Sequence, residues 1–282
     1  MTKNKKEESH KPISWEEFEN EIKKEQQITE ELKLEKPHAK IFPPLYRGQA
    51  KASDPLKTTL ERYYSAYIKQ LSWDGTGDVK WTMEEQLSWG RYNEILVKVH
   101  PSILSLTSHK FNLEDFPNTF RFGVRDAPPN YDLMIYLRHH GFPSPLLDWT
   151  ISPYIAAFFA FEKAGKEENV AIFSFREPKD IETYQMNEPH IIRLGPYTET
   201  HKRHFQQRCE YTICFKETLE KNRFYCPYDG VKSGGKLKPY IIPSKERKKV
   251  MAKLDLMNIN AYTLFGSEES LVSTLASREI EI

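Results

Sequence analysis

The chain has 282 residues, enough for one large domain or one domain with an appendage. Its 41 Lys+Arg against 40 Asp+Glu leave a net charge of +1, which argues against a protein that grips nucleic acid through a uniform basic field. With 16 Phe, 15 Tyr and 5 Trp it can bury a core despite a mean hydropathy of −0.67, and a wholly disordered chain is excluded.

The longest apolar run, 154–161, falls far short of the ~18 residues of a membrane helix. The opening MTKNKKEESH has no apolar signal region. Cys209, Cys214 and Cys226 are an odd count without disulfide or zinc spacing. The expectation is a soluble cytoplasmic protein without a membrane partner.

Residues 1–12 read as a disordered tail ahead of a domain over 13–282. Ser14 with Glu17 forms a capping box, and Trp15, Phe18 and Ile22 follow at helical spacing. A polar stretch runs to Lys40. IFPPLYRGQ then reads as a short strand entered through two prolines. Residues 54–67 read as a helix with Leu56, Leu60, Tyr63 and Tyr64 on one stripe, and WDGTGD as a loop. Residues 83–100 give a further helix, stopped by Pro101.

Asn130 caps YDLMIYLRHH, which ends at Gly141 and has Leu133, Met134 and Leu137 as its apolar face. SPLLDWT is short and extended. Ser152 caps a helix with Pro153 at its first position, and PYIAAFFAFEKA is apolar almost all round, so it should be the buried central helix. NVAIFSF, HIIRL, EYTICF and KLKPYII read as strands, and 243–252 and 268–277 as helices. Helices early and strands late give an α+β fold, a single domain with helices packed around a small split antiparallel sheet.

Three segments carry residues suited to chemistry. In Tyr46-Arg47-Gly48-Gln49, a guanidinium at a strand end can hold two phosphate oxygens while glycine admits a ligand to the backbone. In the stretch 139–150, His139 and His140 end a helix, Ser144 lies in the turn, and Asp148 and Thr150 are set among apolar residues. Asp148 needs partners there, either backbone N–H groups or Arg47, and its role reads as structural. Ser144 and one histidine are the better ligand candidates.

In the stretch 201–212, a metal reading of His201, His204 and Cys209 lacks a fourth ligand, so no metal is expected. Strand alternation there sets Glu210, Thr212 and Cys214 on one face and Cys209, Tyr211, Ile213 and Phe215 on the other. Gln207 faces away from Glu210 if the strand runs back unbroken, and a bulge reverses that, so which of the two meets the cleft stays open. The run Lys245-Glu246-Arg247-Lys248-Lys249 reads as a solvated helix face.

YRGQ, HHGFPSPLLDWTISPYIAAFFAF and RHFQQRCEYTICF together resemble the FRG domain family of bacterial and phage proteins, over about 41–215. LDLMNINAYTLFGSEESL is similar to that family's C-terminal end. The chain departs from the family pattern at His140, Ser144 and Pro145, where Tyr, Thr and Arg are usual. A more distant likeness, to arginine–serine–glutamate ADP-ribosyltransferases, implies an ADP-ribosyltransferase-like fold with NAD as substrate. It implies Arg47 on the pyrophosphate, Ser144 or Thr150 at the nicotinamide ribose, and Glu210 as the carboxylate that steadies an oxocarbenium-like transition state. Arg208 stands where such enzymes carry Gln or Glu.

These residues imply a cleft where Arg47, His139 or His140, Ser144 and the strand of Gln207 and Glu210 converge. Three readings follow. The first is a NAD-dependent ADP-ribosyltransferase acting as a toxin or phage-defence effector, and the second a non-catalytic module binding a nucleotide or protein. The third is engagement of nucleic acid through 245–253 and Arg203. Neither the acceptor nor the oligomeric state can be read from the sequence.

Overall fold

The computed structural model describes residues 11–38, 41–71, 88–114, 126–177, 187–195, 202–219, 223–228, 231 and 235–280. The WDGTGD loop, His201 and nearly all of the N-terminal tail lie outside them. The chain divides into two compact units, each assembled from separated segments. Met1–Asp54, Thr150–Arg176 and Leu237–Ile282 make the first; Pro55–Trp149 and Glu177–Lys236 make the second. Helices and strands are mixed, and every strand pairing with an assigned register is antiparallel, as the α+β reading expects.

The first unit opens with α1 (Trp15–Glu35), capped by Ser14 and Glu17 as the sequence predicts. The helix is longer than its apolar spacing implied, because Thr29 and Leu32 continue the buried stripe of Trp15, Phe18 and Ile22 through the polar stretch. Strand β1 (Leu45–Gln49) pairs with β3 (Val170–Arg176) over its whole length and meets the end of β2 (Leu147–Thr150) at Tyr46 opposite Thr150.

Helix α5 (Pro153–Phe161) is capped by the Ser152 hydroxyl, which accepts the Ile155 N–H at 3.3 Å. Seven of its nine residues are buried, so it is the central helix expected from its all-round apolarity. Its last carbonyls accept from Arg247, at 2.9 Å from Phe161 and 3.2 Å from Glu162, which takes Arg247 off the solvated face read for its run. Strand β7 (Lys236–Ile242), a 3-10 turn, α7 (Arg247–Leu256), α8 (Ala261–Phe265) and α9 (Glu268–Glu279) complete the unit.

One carboxylate fastens α1 to three strands. Glu25 accepts hydroxyl hydrogen bonds from Tyr46 on β1 at 2.8 Å, Ser174 on β3 at 3.0 Å and Tyr240 on β7 at 2.9 Å. Burial and the Glu25 charge push the phenol pKa of Tyr46 well above its ordinary value, so it stays a donor.

The second unit holds α2 (Thr59–Leu71), α3 (Trp89–Thr107), α4 (Tyr131–His139), β4 (His190–Arg193), α6 (Lys202–Gln206), β5 (Cys209–Glu217) and β6 (Arg223–Tyr225). Its core joins Leu60, Trp89, Tyr92 and Leu96 to Leu133, Met134, Leu137 and the apolar face of β5.

Three expectations fail here for identifiable reasons. Helix α2 starts at Thr59, not at 54, because Thr58 and Glu61 form the cap: the Glu61 carboxylate accepts the Thr58 N–H at 2.8 Å, and the Thr58 hydroxyl accepts the Glu61 N–H at 3.2 Å. Helix α3 passes through Pro101 to Thr107. The carbonyl that proline strips of its partner belongs to Val97, whose side chain is exposed, so water can take the bond. Asn130 does not cap α4 with its side chain; it sits left-handed at φ 62° and bonds the backbone of Glu114 and the Asn93 side chain.

Candidate functional site

The first unit carries Tyr46, Arg47, Gly48, Gln49 and Thr150 of the sequence-predicted site. Arg47 is half-buried on β1, in register with Phe173. Gly48 has ordinary strand backbone. A Cβ placed on it would lie 1.9 Å from the Ala156 carbonyl oxygen and 2.6 Å from the Ala160 nitrogen. Helix α5 therefore fills the space that sequence reasoning gave to a ligand. Gln49 donates its amide to the Asp54 carbonyl at 2.7 Å. The buried Thr150 hydroxyl accepts the Ser152 N–H at 3.1 Å, leading the chain from β2 into α5.

The second unit carries the rest. Ser144 is 0% exposed. Its hydroxyl accepts the Leu146 N–H at 3.2 Å, its own N–H donates to the Thr59 hydroxyl at 2.9 Å, and its carbonyl accepts the Leu60 N–H at 3.1 Å. It thus locks the turn after α4 onto the start of α2. Thr59 also accepts from Arg138 at 2.9 Å, and Arg138 grips Asp148 through two charge-assisted hydrogen bonds. The Arg138 side chain is 8% exposed and that of Asp148 40%. Burial works against the Arg138 cation, but the charge and hydrogen bonds of Asp148 outweigh it and hold the guanidinium firmly protonated.

Strand β5 shows the predicted alternation. Cys209, Tyr211, Ile213 and Phe215 enter the core. On the other face the Thr212 hydroxyl accepts the Trp149 indole N–H at 2.7 Å and lies 2.9 Å from that of Tyr228. Glu210, also on this face and buried, takes the Arg193 guanidinium at 2.5 Å, and Glu177 lies 3.5 Å from the same group. Gln207 is not on the strand, which begins at Cys209 after α6 and a left-handed Arg208 at φ 49°; its amide oxygen accepts the Cys209 thiol at 3.6 Å.

His139 comes to β5 through Tyr211, whose hydroxyl lies 3.0 Å from the His139 Nε2 and 3.4 Å from the His204 Nδ1. Burial raises the phenol pKa of Tyr211 far above its ordinary value and also raises the Cys209 thiol, so neither is an anion at neutral pH. His140 is exposed, and its ring lies tilted against that of Tyr136 with the centroids 4.5 Å apart. Strand β5 thus gathers His139 and Gln207 around its start and carries Glu210, whereas Ser144 is held toward α2. Among the described residues no group of three or more His, Cys, Asp or Glu is placed to hold a metal, and no helix is long and apolar enough to cross a membrane.

Sequence reasoning missed Arg138, Arg193 and Tyr211. The signals were present. Arg138 falls four residues after Met134 on the buried stripe of α4, and an Asp inside LLDWT calls for a cation. Arg193 ends the apolar strand HIIR, whose four residues are all buried.

The model of the FRG domain family matches residues 43–169. The match holds β1, Asp148, β2 and α5, and it ends before β5, so Gln207 and Glu210 lie outside it. No curated protein and no solved structure matches the chain. The matched stretch holds both the Arg-Gly strand and the HHGFPSPLLDWT turn with the apolar helix after it, so the chain carries an FRG domain match over residues 43–169.

Proposed function

We propose that this FRG domain acts as a non-catalytic nucleotide-binding module, with Arg47 as the group that meets the ligand's phosphates. The observation that carries the reading is the commitment of the Glu210 carboxylate to a buried ion pair with Arg193. A carboxylate that balances a buried guanidinium is costly to divert to a reacting ribose. The enclosure of Ser144 in its turn supports the same reading. Calorimetric titration with NAD and with ADP tests it. The expected result is binding that weakens at least tenfold in Arg47→Ala, with no NAD consumed. Consumption of NAD by the purified protein would overturn it.

The second reading is ADP-ribosyl transfer from NAD by a toxin or phage-defence effector. It is favoured by Tyr46-Arg47-Gly48 on β1 and a glutamate on β5 in the corresponding chain order. The nicotinamide–ribose bond would break, an acceptor nucleophile would take the ribose carbon, and Glu210 would stabilise the positive charge between them. Release of nicotinamide in a lysate, lost in Glu210→Gln while the variant remains folded, would support this reading over the first.

A further inference from the structure

Strand β1 has two faces, and α1 and α5 occupy one of them. The Tyr46 hydroxyl reaches Glu25 on α1, and Gly48 lies against the backbone of α5. Leu45, Arg47 and Gln49 alternate to the opposite face, where β3 sets Phe175, Phe173 and Ala171 directly beside them. Leu45, Phe175 and Ala171 are buried there. Arg47, Gln49 and Phe173 are only half-buried. A ligand drawn to Arg47 therefore meets three adjacent, partly open side chains on the face that α1 and α5 leave.

Each of the three suits a different part of one molecule. Phe173 is the one partly open residue from Val170 to Phe175, and it belongs to neither hydrophobic core cluster. Such a ring can take the flat face of a base. Arg47 is its direct cross-strand neighbour, with Cβ atoms of such pairs about 5 Å apart, and its long arm carries the guanidinium on toward phosphate oxygens.

Gln49 supplies direction. Its amide nitrogen donates to the Asp54 carbonyl at 2.7 Å. A carbonyl only accepts, so the amide cannot be turned the other way round, and its oxygen is fixed as an acceptor. Gln49 stands diagonally across from Phe173, which puts that oxygen within reach of the edge of a base stacked on the ring. An acceptor selects an N–H donor. The exocyclic amino group of adenine satisfies it, whereas the ring carbonyl of hypoxanthine would set oxygen against oxygen.

Resting on the nucleotide-binding reading of Arg47, we propose that this face of β1 and β3 is an adenine-nucleotide site. Phe173 stacks the base, the Gln49 oxygen accepts from its amino group, and Arg47 holds the phosphates. A free phosphate would use Arg47 alone, and a flat apolar ligand Phe173 alone; an adenine nucleotide engages all three.

Calorimetric titration of the full chain with ADP, inosine diphosphate and inorganic pyrophosphate tests the proposal. The wild type should bind ADP about tenfold or more tightly than inosine diphosphate, a comparison that needs no variant. Phe173→Leu, which keeps an apolar side chain on β3, should weaken ADP about tenfold and leave pyrophosphate unchanged. Gln49→Met should bring ADP and inosine diphosphate to equal affinity, and Arg47→Ala should weaken every ligand that carries phosphate. Equal binding of ADP and inosine diphosphate by the wild type, or ADP affinity unchanged in a folded Phe173→Leu protein, overturns this site; the reading of Arg47 then stands if Arg47→Ala still weakens ADP. Failure of the wild type to bind ADP at all overturns the nucleotide reading and this site with it.

Discussion

Replacing Gly48 by alanine adds one methyl group where β1 meets the backbone of α5. The added carbon would stand 1.9 Å from the Ala156 carbonyl oxygen and 2.6 Å from the Ala160 nitrogen, where an ordinary contact needs more than 3.4 Å. Both obstacles are backbone atoms of α5, so no side-chain rotation can relieve them. Either the helix withdraws by more than 1 Å or β1 bends away from β3 and breaks its register. Overpacking a core costs about 1–3 kcal/mol where side chains can yield, and a backbone obstacle puts Gly48→Ala at about 3 kcal/mol or more. That is a large part of the ~5–15 kcal/mol stability of a typical domain. Gly90→Ala is the control, since nothing lies within 4 Å of its Cβ position in α3, and it should be neutral or stabilising by up to ~1 kcal/mol. Urea unfolding followed by tryptophan fluorescence reads both. A Gly48→Ala protein within 0.5 kcal/mol of the parent, with unchanged slope, would refute the steric reasoning. If that protein also lost nucleotide binding, the glycine would be there to admit a ligand.

The Arg138–Asp148 pair should be asymmetric to truncation. Asp148→Ala strands a buried guanidinium and should cost about 3 kcal/mol, whereas Arg138→Met leaves a carboxylate that is 40% exposed and should cost clearly less; equal losses in urea unfolding would contradict the burial argument. Glu25→Ala removes the acceptor of three hydroxyls and should cost about 2–4 kcal/mol, with α1 showing raised hydrogen exchange before the sheet does; uniform exchange would contradict the fastening role. Hydrogen bonds from Lys238 and then Lys24 hold Glu21 down at about 2, below the ordinary 4.5. Its folded pKa is depressed, so its contribution is present above the ordinary value and is lost as pH falls through about 2. Both side chains of the Glu21–Lys238 pair are about one-third exposed, and screening keeps the effect under about 1 kcal/mol. The thermal-stability gap between the parent and Lys238→Met should therefore hold from pH 7 to 5, shrink below 4.5 and close near 2; a gap independent of pH would remove Glu21 as its cause.

What the sequence disclosed follows from what is local. The Ser14 and Ser152 caps, the central helix and the faces of β5 were legible because each depends on residues within a turn or two of one another. The end of α1 was not, because Thr29 and Leu32 are buried by tertiary packing within a polar stretch. The run through Pro101 depends on which side of α3 meets solvent, and no spacing rule supplies that. Strand β6 and helices α6 and α8, of three to five residues, are too short to show a period. At the site, the demand of Asp148 for a cation could be read, but the identity of that cation needed the fold. Gly48 was read for the freedom it gives a ligand, and the close approach it permits is that of α5.

One requirement unites Gly48, Ser144, Asp148 and Glu210. Each is a residue type that ligand sites employ, and each is engaged here in joining elements. Gly48 lets β1 meet α5, Ser144 ties its turn to α2, and Asp148 and Glu210 balance the buried guanidinium groups of Arg138 and Arg193. A long motif with few tolerated residues is what such joints demand. A buried cation obliges a carboxylate at one place, and a strand pressed to a helix obliges glycine. On the binding reading, the length of the HHGFPSPLLDWT signature measures how many joints the frame needs rather than how many atoms touch the ligand. Nucleotide affinity should then answer to Arg47, while changes at Ser144 and Asp148 should appear first in stability.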